Sequence, residues 1–346
     1  MKIGKISIQN PILLAPMEDV TDIGFRLICK ELGADIVYTE FVNAEGLIRN
    51  SDKTKLKMFF LEEERPIGIQ LYGGLETSLM EAAKMAEELG PDLIDINCGC
   101  WVRKVVGHGA GSGLLRDLKK LESVITNVVK SVKLPVTIKT RLGWDKNTII
   151  IKDVAKIAEA SGAKGITIHC RTRAQGHKGE PDYSYIPEVK NLVSIPVIVN
   201  GGIYDYEKAK TVFETTSCDG IMIAQGALNN PWIFKEIKQY LAEGKVPQFP
   251  TIKERFTLLL KHLRYAILYK GERKAVIEIR KHYHGYFKGL PNISKFRMEL
   301  MKCESYNQIV ENINKFYPHQ LDEIKGFNDN LTFLKSSAGI EHILKN

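Results

Sequence analysis

The densest chemistry in the chain lies between Leu93 and Gly113. There the apolar run Leu93-Ile94-Asp95-Ile96 ends in Asn97-Cys98-Gly99-Cys100-Trp101 and continues through Gly107-His108-Gly109-Ala110-Gly111-Ser112-Gly113. A polar cluster just past a buried strand is where an α/β sheet or barrel places its ligands, so Cys100 is expected on a loop facing a cavity. A thiol near its ordinary pKa of ~8.5 is mostly protonated at neutral pH and suits proton donation. A free cysteine is equally often an inert core residue, so its surroundings decide. The glycines would let backbone approach a bound group, although loose turn chemistry explains them almost as well. Cys98 and Cys100 have no second pair to complete a zinc site, and the cysteines at 29, 98, 100, 170, 218 and 303 form no disulfide framework. The expectation is reduced thiols, no metal and a cytoplasmic protein.

The elements that position this stretch are short β-type runs, each followed by a helix-like segment. They are 12–14, 35–39, 67–71, 93–96, 136–138, 165–168, 196–199 and 220–223, with several of the intervening helical segments ending at a glycine such as Gly33, Gly90 or Gly162. This alternation predicts a (β/α)8 TIM barrel over residues 1–243. A doubly wound open sheet is the alternative, and no Gly-x-Gly-x-x-Gly fingerprint after the first strand supports it.

The residues at and just past the strand ends weigh more than the alternation itself. Pro16 and Met17 come after the first strand, Glu40 after the second, Gln70 closes the third, and Asn97 and Cys100 come after the fourth. Lys139 and Arg141 end the fifth, His169 and Arg171 the sixth, Asn200-Gly201-Gly202 the seventh, and Gln225-Gly226 the eighth. In a barrel these positions converge on one mouth. Backbone N–H groups of Gly201, Gly202, Gln225 and Gly226 could cradle a phosphate there. Lys139 could lie near a carbonyl-rich ring, and Gln70 could bond an imide edge. Spacing leaves FMN and a phosphorylated substrate both open.

After Tyr240 the pattern changes. Residues 244–250, Gly-Lys-Val-Pro-Gln-Phe-Pro, form a linker, and 251–346 reads as an all-helical domain. The net charge of +8 is concentrated there, with 18 Lys plus Arg against 10 Asp plus Glu in residues 244–346. Between Lys253 and Lys302 the cations alternate with Phe256, Tyr265, Tyr269, Tyr283, Tyr286, Phe287 and Phe296. Nucleic acid with exposed bases fits that mixture, and so does a solvated bundle with an aromatic core. Met1 to Lys5 starts no signal peptide, and no apolar run reaches the ~20 residues of a spanning helix.

These residues resemble the tRNA-dihydrouridine synthases, in particular their bacterial B-type group. The likeness rests on Ala15-Pro16-Met17 with Val20-Thr21-Asp22, Gln70-Leu71-Tyr72-Gly73, Asp95-Ile96-Asn97 with Gly99-Cys100, and Gly109-Ala110-Gly111 with Leu114-Leu115. It continues through Lys139-Thr140-Arg141, His169 with Arg171-Thr172-Arg173, Asn200-Gly201-Gly202-Ile203, and Gly226-Ala227-Leu228 with Asn230-Pro231-Trp232. In the tail it ends with Arg280-Lys281-His282 and Lys288-Gly289. The resemblance implies a monomer with an FMN-bearing barrel and a helical tRNA-binding domain. Hydride would go from reduced FMN to C6 of a uridine while Cys100 protonates C5, and NADPH would re-reduce the flavin. By the same likeness Pro16, Met17, Glu18, Gln70, Lys139, His169, Asn200, Gly201, Gly202, Ala224, Gln225 and Gly226 would bind FMN. Asn97, Arg141, Arg171, Arg280 and Lys281 would meet the RNA. The chain departs from the family at Trp101, where Pro is usual, at His108, where a basic residue is usual, at Gln225, where Arg is usual, and at Tyr183 and Gly285, where Trp is expected. The competing readings are the same chemistry on another RNA such as rRNA, a free-pyrimidine or enone reductase, and an RNA-binding flavoprotein without turnover.

Overall fold

The computed structural model describes residues 1–291 and 293–321; residues 322–346, the end of the expected helical domain, lie outside the described residues. Eight parallel strands form the barrel: β1 (Ile12–Leu14), β2 (Val37–Tyr38), β3 (Ile67–Tyr72), β4 (Leu93–Asn97), β5 (Val136–Arg141), β6 (Ile166–His169), β7 (Val197–Asn200) and β8 (Gly220–Ile223). Each pairs with its sequence neighbour from β3 to β8, β8 returns to β1, and β2 pairs with β3. The ring closes between β1 and β2 through a parallel bridge Leu13–Ile36, with Leu14 N–H donating to the Ile36 carbonyl at 2.9 Å and Asp35 N–H to that of Ile12 at 2.8 Å. The second strand is shorter than the expected 35–39; at its start the Asp35 carboxylate accepts from Ile12 N–H at 2.8 Å, and past its end Thr39 N–H donates to the Gly68 carbonyl at 3.0 Å. The fifth is longer than expected and carries Lys139 and Arg141 within it.

Alternation along each strand sorts the side chains, since successive residues face opposite sides. Ile94, Ile96, Cys98, Val136, Ile138, Ile166, Ile168, Cys170, Val197 and Val199 face outward into the layer between strands and helices. Leu93, Ile198 and Met222 face inward and, with Ile3, Ile6 and Tyr38, fill the lower barrel. The hairpin Lys2–Ile3 with Ile6–Ser7 supplies Ile3 and Ile6 to that plug. Inward positions at the C-terminal strand ends are therefore left to polar residues. Helix ends use the glycines expected, Gly33, Gly90 and Gly162 having positive φ of 101°, 68° and 91°.

The helical region begins at Thr251, which caps Ile252–Lys270 reciprocally with Glu254. Its aromatics are its core: Phe256, Tyr283, Tyr286, Phe287 and Phe296 are buried together with Leu259, Leu263 and Ile309. Tyr265 and Tyr269 lie partly buried in a smaller cluster with Leu27 and Leu61. The region is fastened to the helix Ile23–Glu31 of the barrel. Phe25 packs on the buried rings of His262 and His282, and Lys261 pairs with Glu31 at 2.6 Å. Lys270 pairs with Asp22, the N-cap of that barrel helix.

Candidate active site

A cleft of about 350 Å³ opens at the C-terminal ends of the strands. It is lined by Pro16, Met17, Glu18, Gln70, Asn97, Cys100, Lys139, Arg141, His169, Arg171, Asn200, Gly201, Gly202, Ala224, Gln225 and Gly226. Register explains the convergence. Gln70 lies level with Asp95, Asn97 with Lys139, Arg141 with His169 and His169 with Asn200, so neighbouring strands hand their inward residues to one another.

Four side chains form a chain of hydrogen bonds toward the thiol. Thr137 Oγ1 donates to Asp95 Oδ1 at 2.6 Å, Gln70 Nε2 donates to Asp95 Oδ2 at 2.7 Å, and Asn97 Nδ2 donates to Gln70 Oε1 at 2.9 Å. Asn97 Oδ1 then accepts from the N–H groups of Gly99 at 3.0 Å and Cys100 at 2.9 Å. The Asp95 carboxylate thus fixes which way both amides point, while each amide keeps hydrogen-bonding capacity toward the cleft. Burial raises the Asp95 pKa to about 6, against the lowering effect of its two donors.

Cys100 and Cys98 separate cleanly. Cys98 is fully buried among apolar side chains on the outward face, and burial pushes its thiol far above the ordinary range. Cys100 is half-buried in the cleft wall, and burial also raises its pKa, opposed by the Val102 N–H and then the Arg141 and Lys139 charges. It is therefore a protonated thiol at neutral pH with two cations placed to stabilise the thiolate left after proton loss. Gly111 and Ser112 in the run after it pack against this residue. Ser112 N–H and Oγ both bond the Cys100 carbonyl at 3.0 and 2.8 Å. A side chain on Gly111 (φ 56°) would come within 2.9 Å of Cys100 Cβ.

Lys139 is drawn into the interior with one hydrogen bond, to Asn200 Oδ1 at 2.9 Å, and Asn200 Nδ2 donates to the Met222 carbonyl at 2.7 Å. Burial, then Arg141, lowers its pKa to about 8. Two of its three N–H bonds remain for an acceptor in the cleft. His169 is 7% exposed; burial, then Arg141 and Lys139, holds it neutral, and its Nε2 meets Arg171 Nη1 at 3.3 Å. Arg141 commits its donors to the carbonyls of Gly99, Thr172 and Gly176 at 2.8, 3.1 and 2.8 Å, clamping the Cys100 loop to the loop after β6. Arg171 holds the Gly179 carbonyl at 2.9 Å.

At the seventh and eighth strand ends only glycine fits. A Cβ at Gly201 would lie 2.6 Å from His169 Cδ2, and one at Gly226 would lie 2.3 Å from the Ile203 carbonyl oxygen. Tyr183 OH donates to the Gly201 carbonyl at 2.6 Å, and Tyr204 OH donates to Gln225 Oε1 at 2.9 Å. Glu18 stands at the exposed rim, paired with Lys57. Arg280 and Lys281 lie outside this cleft lining: Arg280 Nη2 donates to the Cys303 carbonyl at 3.1 Å, and Lys281 Nζ to that of Asp19. Sequence reasoning passed over Asp95, whose signal was a carboxylate inside an apolar strand. It also passed over His177, which lies in a loop where no periodicity applies.

Residues 13–321 match the family model described as Dihydrouridine synthase (Dus). The chain is 38% identical over 326 residues to a protein of Rickettsia prowazekii (strain Madrid E) named "Probable tRNA-dihydrouridine synthase", covering 94% of this chain and 100% of that one. It is 38% identical over 317 residues to the "tRNA-dihydrouridine synthase B" of Pseudomonas aeruginosa, covering 92% and 96%. Among solved structures, a morphinone reductase variant in complex with tetrahydroNAD superposes with a TM-score of 0.52 at 12% identity, over 69% of this chain and 89% of that one. Histamine dehydrogenase from Rhizobium sp. 4-9 gives 0.52 at 15% identity, over 76% and 50%. At those identities the likeness is one of barrel fold.

Proposed function

The chain belongs to the dihydrouridine synthase family, and from that premise we propose that it reduces the C5=C6 bond of a uridine in tRNA, with FMN in the cleft and NADPH as reductant. The observation that carries this reading is the half-buried, protonated Cys100 thiol sharing one cleft with the partly buried Lys139 cation and the braced Gln70–Asn97 amides. No helix among the described residues is long and apolar enough to cross a membrane.

The residues present fit a flavin mononucleotide. Lys139, desolvated and short of acceptors, matches a carbonyl-rich ring, and the spare capacity of the Gln70 amide matches an imide edge. Gly201, Gly202, Gln225 and Gly226 offer main chain, and at the three glycines an added Cβ would clash. Gln225, without a cation, leaves a terminal phosphate to backbone N–H groups and to the side chains around it. Reduced flavin bound there supplies the hydride to the uracil ring.

The protein's part is to hold the uracil and deliver a proton. Asn97, locked by Gln70 and by the Gly99 and Cys100 N–H groups, keeps one amide N–H for a uracil carbonyl. Cys100 Sγ–H gives its proton to C5, and the thiolate that remains lies within the fields of Arg141 and Lys139. Arg141, by fixing the Gly99 carbonyl, keeps the thiol from swinging out of the cleft. The uridine must leave its stack to reach this point, which favours nucleotides in tRNA loops.

The direct test supplies purified protein with FMN, NADPH and an unmodified tRNA transcript, and reads the two-hydrogen mass gain of one nucleotide. Dihydrouridine should appear only with all components present, and the same position should lose it in RNA from cells lacking the gene. Flavin-loaded protein that oxidises NADPH but leaves every tRNA uridine unchanged, in vitro and in cells, would refute the reading.

A further inference from the structure

Beside Cys100 the mouth of the cleft carries a surface that the chemistry above does not use. Trp101 is 40% and Val102 46% exposed. The indole is nonetheless held in place. Its Nε1–H donates to His177 Nε2 at 3.3 Å, and the two rings meet edge to face with centroids 5.6 Å apart and planes at 88°. Gly176 lies against the benzo ring, so that an added Cβ would sit 3.4 Å from Cδ2 and Cε3. The Gly176 carbonyl is gripped by Arg141, which also grips Gly99, so both sides of this contact share one brace. A ring fixed on two sides and open elsewhere loses little freedom when something lies on it.

The charged residues nearest the ring in sequence are mostly cations, with exposed Glu180 two residues past Lys178 as an exception. Arg103 and Lys104 come after Val102 and are exposed, and Lys178 comes after His177 and is exposed. Among the described residues none of these three side chains makes an ion pair. On another part of the rim Glu18, Asp19 and Glu40 gather within 4.8 Å of one another. Lys57 pairs with Glu18 and Lys281 reaches the Asp19 carbonyl, which partly offsets that acidic group, so a polyanion meeting this mouth is drawn first to the three cations on the Trp101 side. Unpaired cations flanking an open aromatic fit a single-stranded nucleic acid, whose phosphates take the cations and whose unpaired base takes the ring.

We propose that Trp101, clipped by His177, is a stacking platform for the nucleobase that flanks the reacting uridine, with Arg103, Lys104 and Lys178 on the phosphates of that strand. The proposal deepens the tRNA reading and rests on it for the identity of the strand. Because Trp101 directly follows Cys100, a base stacked on it places the neighbouring nucleotide at the thiol. Substrate choice would then depend on the base beside the target.

The test uses full-length, flavin-loaded Trp101→Ala, Trp101→Phe and His177→Ala proteins with unmodified tRNA and, separately, with oligouridylate. Flavin content and thermal unfolding serve as folding controls. Trp101→Ala should raise KM for tRNA roughly 5- to 150-fold, matching ~1–3 kcal/mol for one base–aromatic stack. Trp101→Phe should stay near wild type, with His177→Ala between. Oligouridylate should quench the tryptophan fluorescence of the wild type, and this quenching should vanish in Trp101→Phe. Charge reversal of Arg103 and Lys104 should lower the salt slope of RNA binding by ~0.7 per lost contact. Unchanged KM and quenching in the Trp101 variants, a Phe variant as poor as Ala, or a loss confined to kcat or NADPH oxidation would each overturn the platform. A wild type that forms no dihydrouridine yet shows the quenching would sink the reaction and leave the platform standing.

Discussion

Lys139→Met should make the flavin-free protein more stable while weakening its hold on flavin. Holding the Lys139 ammonium at a pKa of about 8 instead of 10.5 costs the folded state about 3 kcal/mol at neutral pH. Methionine fills similar volume without the charge. Against this stands the lost hydrogen bond to Asn200 Oδ1, worth about 1 kcal/mol. The net gain of about 2 kcal/mol corresponds to a rise of a few degrees in Tm for a chain of this size, at ~2–4 °C per kcal/mol for somewhat smaller domains. The pH dependence has a definite sign. Below about 8 the lysine is charged in both folded and unfolded chains and the penalty is complete; between about 8 and 10.5 the folded state sheds its proton first and the penalty fades. Wild type should therefore gain on the variant as pH rises through that window. Thermal unfolding of both proteins without flavin, from pH 7 to 10, measures the gap, and repeating it with saturating FMN should show a smaller ligand-induced shift in the variant. A flavin-free variant less stable than wild type at pH 7, with a gap that pH does not alter, would refute the reasoning.

Cys100→Ala should keep its flavin but lose dihydrouridine formation by ~10²–10⁴-fold, whereas Cys98→Ala should lower Tm and leave product mass per turnover intact; product mass and flavin absorbance read both. Because burial raises the Cys100 pKa above the ordinary thiol range, and the protonated form is the donor, single-turnover hydride-plus-proton transfer should stay level from pH 7 to 8 and decline only at higher pH. A decline between pH 7 and 8 would contradict that placement. Arg280→Met and Lys281→Met should each lower Tm, since each holds a backbone carbonyl of another element; an unchanged Tm with weaker tRNA binding would make them RNA contacts alone.

The barrel was legible because its signal repeats. Eight runs with the same alternation place Gln70, Asn97, Lys139, Arg141, His169 and Asn200 at equivalent strand ends, and parallel registration does the rest. Alternation places Cys98 outward, in phase with Ile94 and Ile96, but it would place Cys100 there too; Cys100 reaches the cleft because the strand ends at Asn97 and the Gly99 and Cys100 N–H groups turn back onto the Asn97 side chain. What stayed hidden depends on loops. His177 meets Trp101 only because Arg141 pulls the loop after β6 onto the loop after β4, and no spacing encodes that contact. Of the glycines between 107 and 113, Gly111 has the close approach, to Cys100 itself, and Gly113 lies against the Val106 carbonyl, while Gly107 has open space around it.

The tail shows why composition alone left two readings standing. Its cations and rings alternate along the sequence, but folding separates them. Phe256, Tyr283, Tyr286, Phe287 and Phe296 turn inward as the helical core, while Lys261, Lys270 and Lys281 fasten that core to the barrel. Rings of this kind are closed to an incoming base. A stacking surface has to be an aromatic that folding leaves open, and beside the thiol that residue is Trp101. Charge at the tail can still draw RNA over a distance, since long-range attraction requires no open ring. On the stacking proposal, selection of the base beside the target falls to the barrel's own loops, where Trp101 stands open next to Cys100.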